Sequence, residues 1–369
     1  MRARRHLAVV LAFACALAVF AVTRGGERAA AGPPRDRASE LATAAGRAAT
    51  LHDFRTALRL ARQSRALAPE SLAAYPALVD ALVELGRYRE AERTLQRFVD
   101  LRPGLAAYTR VSYFRELHGD LPGAAAALRL AVAAGGPPSK EVAYVQSLLG
   151  SIELNRGRLD DARRAFAAAS AAMPGYGPAA DGRADLAAAR GRLSDAIRRL
   201  RRLVARRPGP DYATALGELR LAAGDRPAAR RDLALARKQE RQLARRGYNP
   251  DAALAVFEAD HGDLADGVAL ARTVWSQAPS VTSADALGWA LTRAGRPRAG
   301  LRWARRALRL GSLDPVFRYH AGVAALAAGR RAEGRQQLRL AIAHGLAVHP
   351  LHLRRAERAL GRRIADKRE

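Results

Sequence analysis

The chain of 369 residues has one cysteine, Cys15, near its start. From residue 38 onward it can form no internal disulfide, supply no thiol nucleophile and build no cysteine-ligated metal site. Aromatic residues are only 5% of the chain and do not alternate with its basic runs, so the stacking platform of a nucleic-acid binder is missing. No strand pattern exists, and therefore no glycine-rich phosphate loop follows a strand. His344, His349 and His352 form the densest histidine group, but Pro350 interrupts it and no carboxylate lies close in sequence. Neither a metal nor a cofactor is expected, and no residue is assigned a catalytic role. Lysine is nearly absent too: Lys140, Lys238 and Lys367 leave arginine as 60 of the 63 basic residues.

The formal charge is +28. An excess of Ala and Arg together points to a GC-rich genome, which accounts for part of that charge without any function. The rest favours anionic surfaces in general.

A short phrase, Gly-x-aromatic/Leu-x-x-Ala, returns nine times. Its glycine falls at 86, 119, 157, 191, 224, 262, 295 and 329, and His52 stands in its place in the first copy. The small residue five positions on is Ala57, Ala91, Ala124, Ala162, Ala196, Ala229, Gly267, Gly300 and Gly334. A fixed period in this range means a solenoid of stacked helix pairs, each contacting its neighbours. The second copy is the clearest. Leu72 to Leu85 is one helix, Gly86-Arg87 the turn, and Tyr88 to Leu101 the second helix, stopped by Pro103. Ala91, Leu95 and Phe98 share one helical face, which a single pair cannot bury alone.

These residues resemble the tetratricopeptide repeat. Leu149-Gly150, Leu216-Gly217 and Leu287-Gly288 match its first-helix element, Gly86-Arg87-Tyr88 its turn, and Pro69, Pro103, Pro174, Pro208 and Pro279 its terminal proline. The resemblance implies an all-α fold: a right-handed superhelical α-solenoid of about nine helix pairs, closed by a C-terminal capping helix. It also implies a non-catalytic scaffold that binds a protein or peptide in the concave groove lined by first helices. The copies read as 38–71, 72–104, 105–142, 143–176, 177–209, 210–247, 248–280, 281–314 and 315–350, with 351–369 as the cap.

A longer period overlies the first. His52 to Gly157, Gly157 to Gly262, Gly119 to Gly224 and Gly224 to Gly329 are each 105 residues apart. Two readings stay open, triplication of a three-copy unit and two unrelated loop insertions. In the sixth copy the run Arg237 to Arg246 reads as a second helix extended past its normal stop.

At the N-terminus, Arg2, Arg4 and Arg5 precede sixteen uninterrupted apolar residues, Leu7 to Val22. This has the form of an export signal. As a helix the run would span about 24 Å, short of the roughly 30 Å hydrocarbon core. A cleaved signal and a short uncleaved membrane anchor over 1–22 both fit, with 23–37 as a flexible linker. The expectation is an exported, extracytoplasmic bacterial protein, secreted or anchored by residues 7–22. Its oligomeric state is not readable.

Charge divides between the two helices of each copy. In the resembled family, positions 5 and 9 of the first helix face the groove. Here those eighteen positions hold Asp80, Asp181, Asp185, Glu218 and Asp285, with no Arg or Lys. Tyr113, Trp289 and Tyr319 also occupy groove positions as candidate anchors, or as packing between helices. An acidic groove suits a partner with a cationic segment; acids paired with neighbouring Arg are the plainer reading. It lacks the Lys and Asn pattern that clamps a peptide's terminal carboxylate. Second helices carry Arg at repeated places, among them Arg164, Arg198, Arg201, Arg231, Arg302 and Arg305, which form basic stripes on the back. Two alternatives to groove binding follow: a surface-anchoring module that holds anionic lipid or wall polymer through those stripes, and a non-catalytic subunit of an enzyme complex. No specific nucleic-acid partner is expected.

Overall fold

A computed structural model describes residues 33–361. The expected signal or anchor over 1–22 lies outside them, as does most of the linker. The described residues form nineteen α-helices, three short 3-10 turns and no strand. None of these helices is long and apolar enough to cross a membrane.

The helices come in antiparallel pairs. The first three pairs are α1 (Pro33–Thr50) with α2 (Phe54–Leu67), α3 (Tyr75–Glu84) with α4 (Tyr88–Leu101), and α5 (Leu105–Leu117) with α6 (Leu121–Ala133). Then follow α7 (Lys140–Asn155) with α8 (Leu159–Ala172), α9 (Gly177–Ala189) with α10 (Leu193–Arg206), and α11 (Pro210–Ala223) with α12 (Arg226–Arg245). The last three are α13 (Ala252–His261) with α14 (Leu264–Gln277), α15 (Val281–Arg293) with α16 (Pro297–Ala307), and α17 (Pro315–Ala327) with α18 (Arg331–Ala343). A final helix, α19 (Pro350–Ala359), closes the series. The helix α1 begins at Pro33, so the last residues of the expected linker are helical; proline needs no donor in a first turn.

Local chemistry sets the ends. Asp53, Asp120, Asp225 and Asp263 cap second helices, and Ser139, Asp251, Ser280 and Asp314 cap first helices, each accepting a backbone N–H. The small residue of the phrase is fully buried in copies one to six, at Ala57, Ala91, Ala124, Ala162, Ala196 and Ala229. In the eighth copy it has to be glycine: a Cβ on Gly300 would lie 2.7 Å from the Gly288 carbonyl oxygen.

The coil is tighter than neighbour-to-neighbour stacking requires. The turn inside each early copy touches the junction that follows the copy five places later. Asn249 N–H donates to the Leu51 carbonyl at 3.0 Å. The Val281 N–H donates to the Tyr88 hydroxyl at 2.8 Å, and the Arg309 guanidinium lies over the Tyr88 ring. His118 and Gly119 back onto Gly311, and Leu154 and Asn155 back onto Gly345. Between five and six copies therefore make one turn of the superhelix, and the later copies form a second turn seated on the first. The expectation that each copy contacts only its neighbours is corrected here, because contacts such as Arg55 to the Ser276 carbonyl join residues 221 apart.

This geometry explains the first helices. All ten residues of α3 are buried, as are Val281 to Leu291 in α15. Second helices cover them outside and the other turn covers them inside, so they are apolar almost all round. One core cluster accordingly joins Phe54, Leu78, Leu82 and Tyr88 to Val281, Ala284, Ala307 and Phe317. Another joins Leu154, Phe166 and Leu186 to Val348. The C-terminal α19 buries His352 and Ala356, and Arg354 reaches the Ala222 carbonyl at the end of α11.

Two predictions follow from the contact between turns. Gly86 and Gly191 have nearly the same left-handed backbone, φ 69° and 74°. A Cβ at Gly86 would meet the Pro279 carbonyl oxygen at 2.4 Å, whereas one at Gly191 meets nothing within 4 Å. Gly191→Ala should cost only the backbone strain, about 1–2 kcal/mol, and Gly86→Ala clearly more, with expansion seen by small-angle X-ray scattering. Equal melting of the two variants would show that the turns do not press together there. Glu84 gives the second prediction. It is buried at the same contact, near Ser280, and accepts from the Tyr113 hydroxyl at 3.1 Å. Burial raises its pKa from 4.5 to about 8. Between those values the folded chain keeps a proton that the unfolded chain has lost, so this group's contribution falls as pH rises from about 4.5 to about 8 and is level above. Glu84→Gln should flatten that slope in denaturation midpoints measured across the range; an unchanged slope would refute the assignment.

Candidate functional site

The tight pitch decides what becomes of the expected groove. Asp80, 5% exposed, accepts two hydrogen bonds from Arg110, at 2.9 and 2.8 Å, and Arg110 is itself only 3% exposed. Tyr113 points its hydroxyl at Glu84 beside them. Asp285 accepts from His320 Nδ1 at 2.8 Å. Trp289 stacks on His320 and Tyr319 stacks on His352, with ring centroids 4.1 and 4.4 Å apart. Asp181 is buried on α9. The structure thus brings Asp285, Trp289 and Tyr319 into one buried cluster and places Asp80 and Tyr113 in another. For these residues the physical outcome is packing, because the second turn fills the space that a peptide would take.

Asp185 and Glu218 remain on a cleft, joined there by Asp211, His349 and His352. Glu218 accepts from His261 Nε2 at 3.4 Å. Burial pushes the Glu218 carboxyl up, but the His261 hydrogen bond and charge outweigh it and hold the carboxyl at about 2. His352 is pushed down to about 4 by burial. The enclosed space of this cleft is about 30 Å³, enough for two water molecules at about 10–15 Å³ each. No group of three or more His, Cys, Asp or Glu is placed to hold a metal ion among the described residues.

The outside is the accessible charged surface. Arg164, Arg198, Arg201, Arg231, Arg302 and Arg305 are all exposed. Arg164, Arg198 and Arg305 pair with Asp161, Asp195 and Glu333. Charge is unevenly spread over the second helices. Arg129 is the one basic residue of α6, and Arg272 the one of α14. By contrast α10 carries Arg198, Arg199, Arg201, Arg202 and Arg206, and α12 carries Arg226, Arg230, Arg231, Arg237, Lys238, Arg241 and Arg245. The two acids of α12, Asp232 and Glu240, are buried. The neighbouring α10 and α12 therefore form one basic face, on which Arg201, Arg202, Arg206, Arg230, Arg231 and Arg241 make no ion pair among the described residues. Sequence reasoning named Arg201 and Arg231 but did not separate α10 and α12 from the other second helices. The density of Arg over 198–207 and 226–246 was the signal that separates these two.

The tetratricopeptide repeat model matches residues 48–110 and 153–219. No curated protein matches the chain. Among solved structures, the APC/C hetero-tetramer Cut9-Hcn1 is similar at 16% identity and TM-score 0.38, over 89% of this chain; the chain spans 57% of that one. A tetratricopeptide repeat protein from Parabacteroides merdae is similar at 16% identity and TM-score 0.38, over 70% of this chain and 97% of its own. Yeast Tom70 is similar at 14% identity and TM-score 0.45, over 94% of this chain and 69% of its own. The stretches 48–110 and 153–219 are thus tetratricopeptide repeats, and the nine-copy phrase and the paired helices carry the same pattern through the rest of the described residues.

Proposed function

We propose that this chain is a non-catalytic scaffold that docks an acidic partner protein on the outer face of α10 and α12. The observation that carries the reading is the uneven placement of arginine. A composition bias would load every outer helix, yet α6 and α14 hold one basic residue each while α12 holds seven. Arginine suits carboxylates because its planar fork binds them with two parallel hydrogen bonds. The reading against nucleic acid is the absence of exposed aromatics on this face. The large exposed apolar residues, Leu67, Leu130 and Leu264, lie on other helices, so nothing on this face inserts into a bilayer. Residues 7–22 support a place at the cell envelope for the scaffold, on sequence alone.

The test replaces Arg201, Arg202, Arg230, Arg231 and Arg241 with Gln in the full chain. The control replaces Arg302, Arg305, Arg335 and Arg339. Binding to a glutamate-rich peptide, to duplex DNA and to phosphatidylglycerol vesicles is measured at low and high salt. The peptide should bind best, lose affinity with salt, and weaken about tenfold or more in the first variant. That magnitude follows from a few tenths of a kcal/mol for each exposed charge, with 1.4 kcal/mol making a factor of ten. Equal loss in the control variant, or a preference for DNA or vesicles, would overturn the reading.

A further inference from the structure

The helix α19 lies against first helices, inside the coil. It packs on α11, and the 3-10 turn before it, Leu346–Val348, packs on α9. Leu351 and His352 line the cleft that also holds Asp185 and Glu218. The hold on α19 is slight. It has ten residues and no side-chain cap at its start, too short to persist as a helix without packing. Its buried side chains are His352 and Ala356. Arg354 donates to the Ala222 carbonyl at 2.5 Å, and Arg335 of α18 donates to the Leu360 carbonyl at 3.2 Å. One of the two buried anchors is therefore a titratable ring.

We propose that α19 is a latch opened by acid: protonation of His352 detaches the helix from α11 and uncovers the first helix beneath it. His352 is 5% exposed, and its ring stacks on Tyr319 with centroids 4.4 Å apart. Its Nδ1 has no hydrogen-bond partner among the described residues. A neutral ring tolerates that place. An imidazolium carries a charge and a donor on each nitrogen, and burying it with no acceptor at Nδ1 is costly. The surroundings do not offset this cost. Glu218 of α11 attracts the charge, but it already accepts from His261 of α13 at 3.4 Å. Asp260 of α13 pairs with Arg293 of α15 at 3.3 Å, and Asp285 of α15 accepts from His320 of α17 at 2.8 Å. The His320 and His349 rings lie 6.3 and 5.7 Å from His352, and Arg355 of α19 itself reaches the Tyr319 hydroxyl. Asp185 of α9 and Asp211 of α11 line the same cleft but give Nδ1 no acceptor.

Burial accordingly holds His352 down at about 4, against an ordinary 6.5. Between those values the released helix takes a proton that the docked one excludes. The latch therefore weakens as pH falls through that range and is level below it. The neighbouring ion pair does not change there. Glu218 stays ionised down to about 2, and His261, which burial pulls down, is held above its ordinary value by Glu218. Release uncovers a strip of α11 in which apolar Ala215 and Leu219 stand beside Glu218.

The test is amide hydrogen exchange of the full-length chain at pH 7 and pH 5, corrected for the pH dependence of intrinsic exchange. Amides of 350–359 should lose protection about tenfold or more between the two, while those of α7 keep theirs. His352→Phe keeps a ring against Tyr319 and removes the titration, so protection of 350–359 should stay level. His344, at the end of α18, is also pushed down by burial, and His344→Gln should respond to acid as the wild type does. Should His352→Phe fail to fold, the wild-type ring titration followed by NMR decides, with His352 expected to titrate well below 6.5. Unchanged protection of 350–359 in the wild type, equal acid loss in the His352→Phe protein, loss of the response in His344→Gln, or an ordinary His352 titration would each overturn the proposal.

Discussion

The close approach of backbone to backbone between successive turns of the coil governs this structure. Where Gly86 meets Pro279 and Gly119 meets Gly311, no side chain separates the two turns. That distance fixes the pitch at between five and six copies, and the pitch in turn removes the axial space. First helices that would line an open groove become the centre of a two-turn body. Their apolar faces are buried on both sides, and their polar residues are obliged to find partners within the chain.

The partition of charge follows from that obligation. A buried carboxylate without a partner costs several kcal/mol. The acids of the first helices accordingly meet Arg110, His261 and His320, and Glu84 keeps its proton. Arginine is excluded from most inner positions for the same reason and collects outside, where water solvates it. An all-round basic exterior needs no more explanation than this. The concentration on α10 and α12 does, and it is the part of the charge pattern that bears on binding.

The sequence made much of the fold legible. A phrase of six residues at a fixed period located the helix pairs, because turn, close contact and stop each demand a particular residue at a particular offset. The run Arg237 to Arg246 was readable as helix, and α12 indeed continues to Arg245. The pitch was not legible. It depends on small rotations summed over a full turn, and no single copy encodes it. For that reason Asp80, Asp285, Trp289 and Tyr319 read as groove residues although they are packed.

An open solenoid can gain or lose a copy and remain the same kind of object, because each unit meets only its neighbours. Here the fixed offset between the turns forbids such drift. Inserting one copy between the first turn and the second would bring Tyr88 opposite a different junction, and the Val281 amide opposite a different turn, all along the contact. Each mating surface would meet the wrong counterpart at once. The number of repeats is therefore itself a structural parameter, because a copy added between the two turns would break the contact that holds them together.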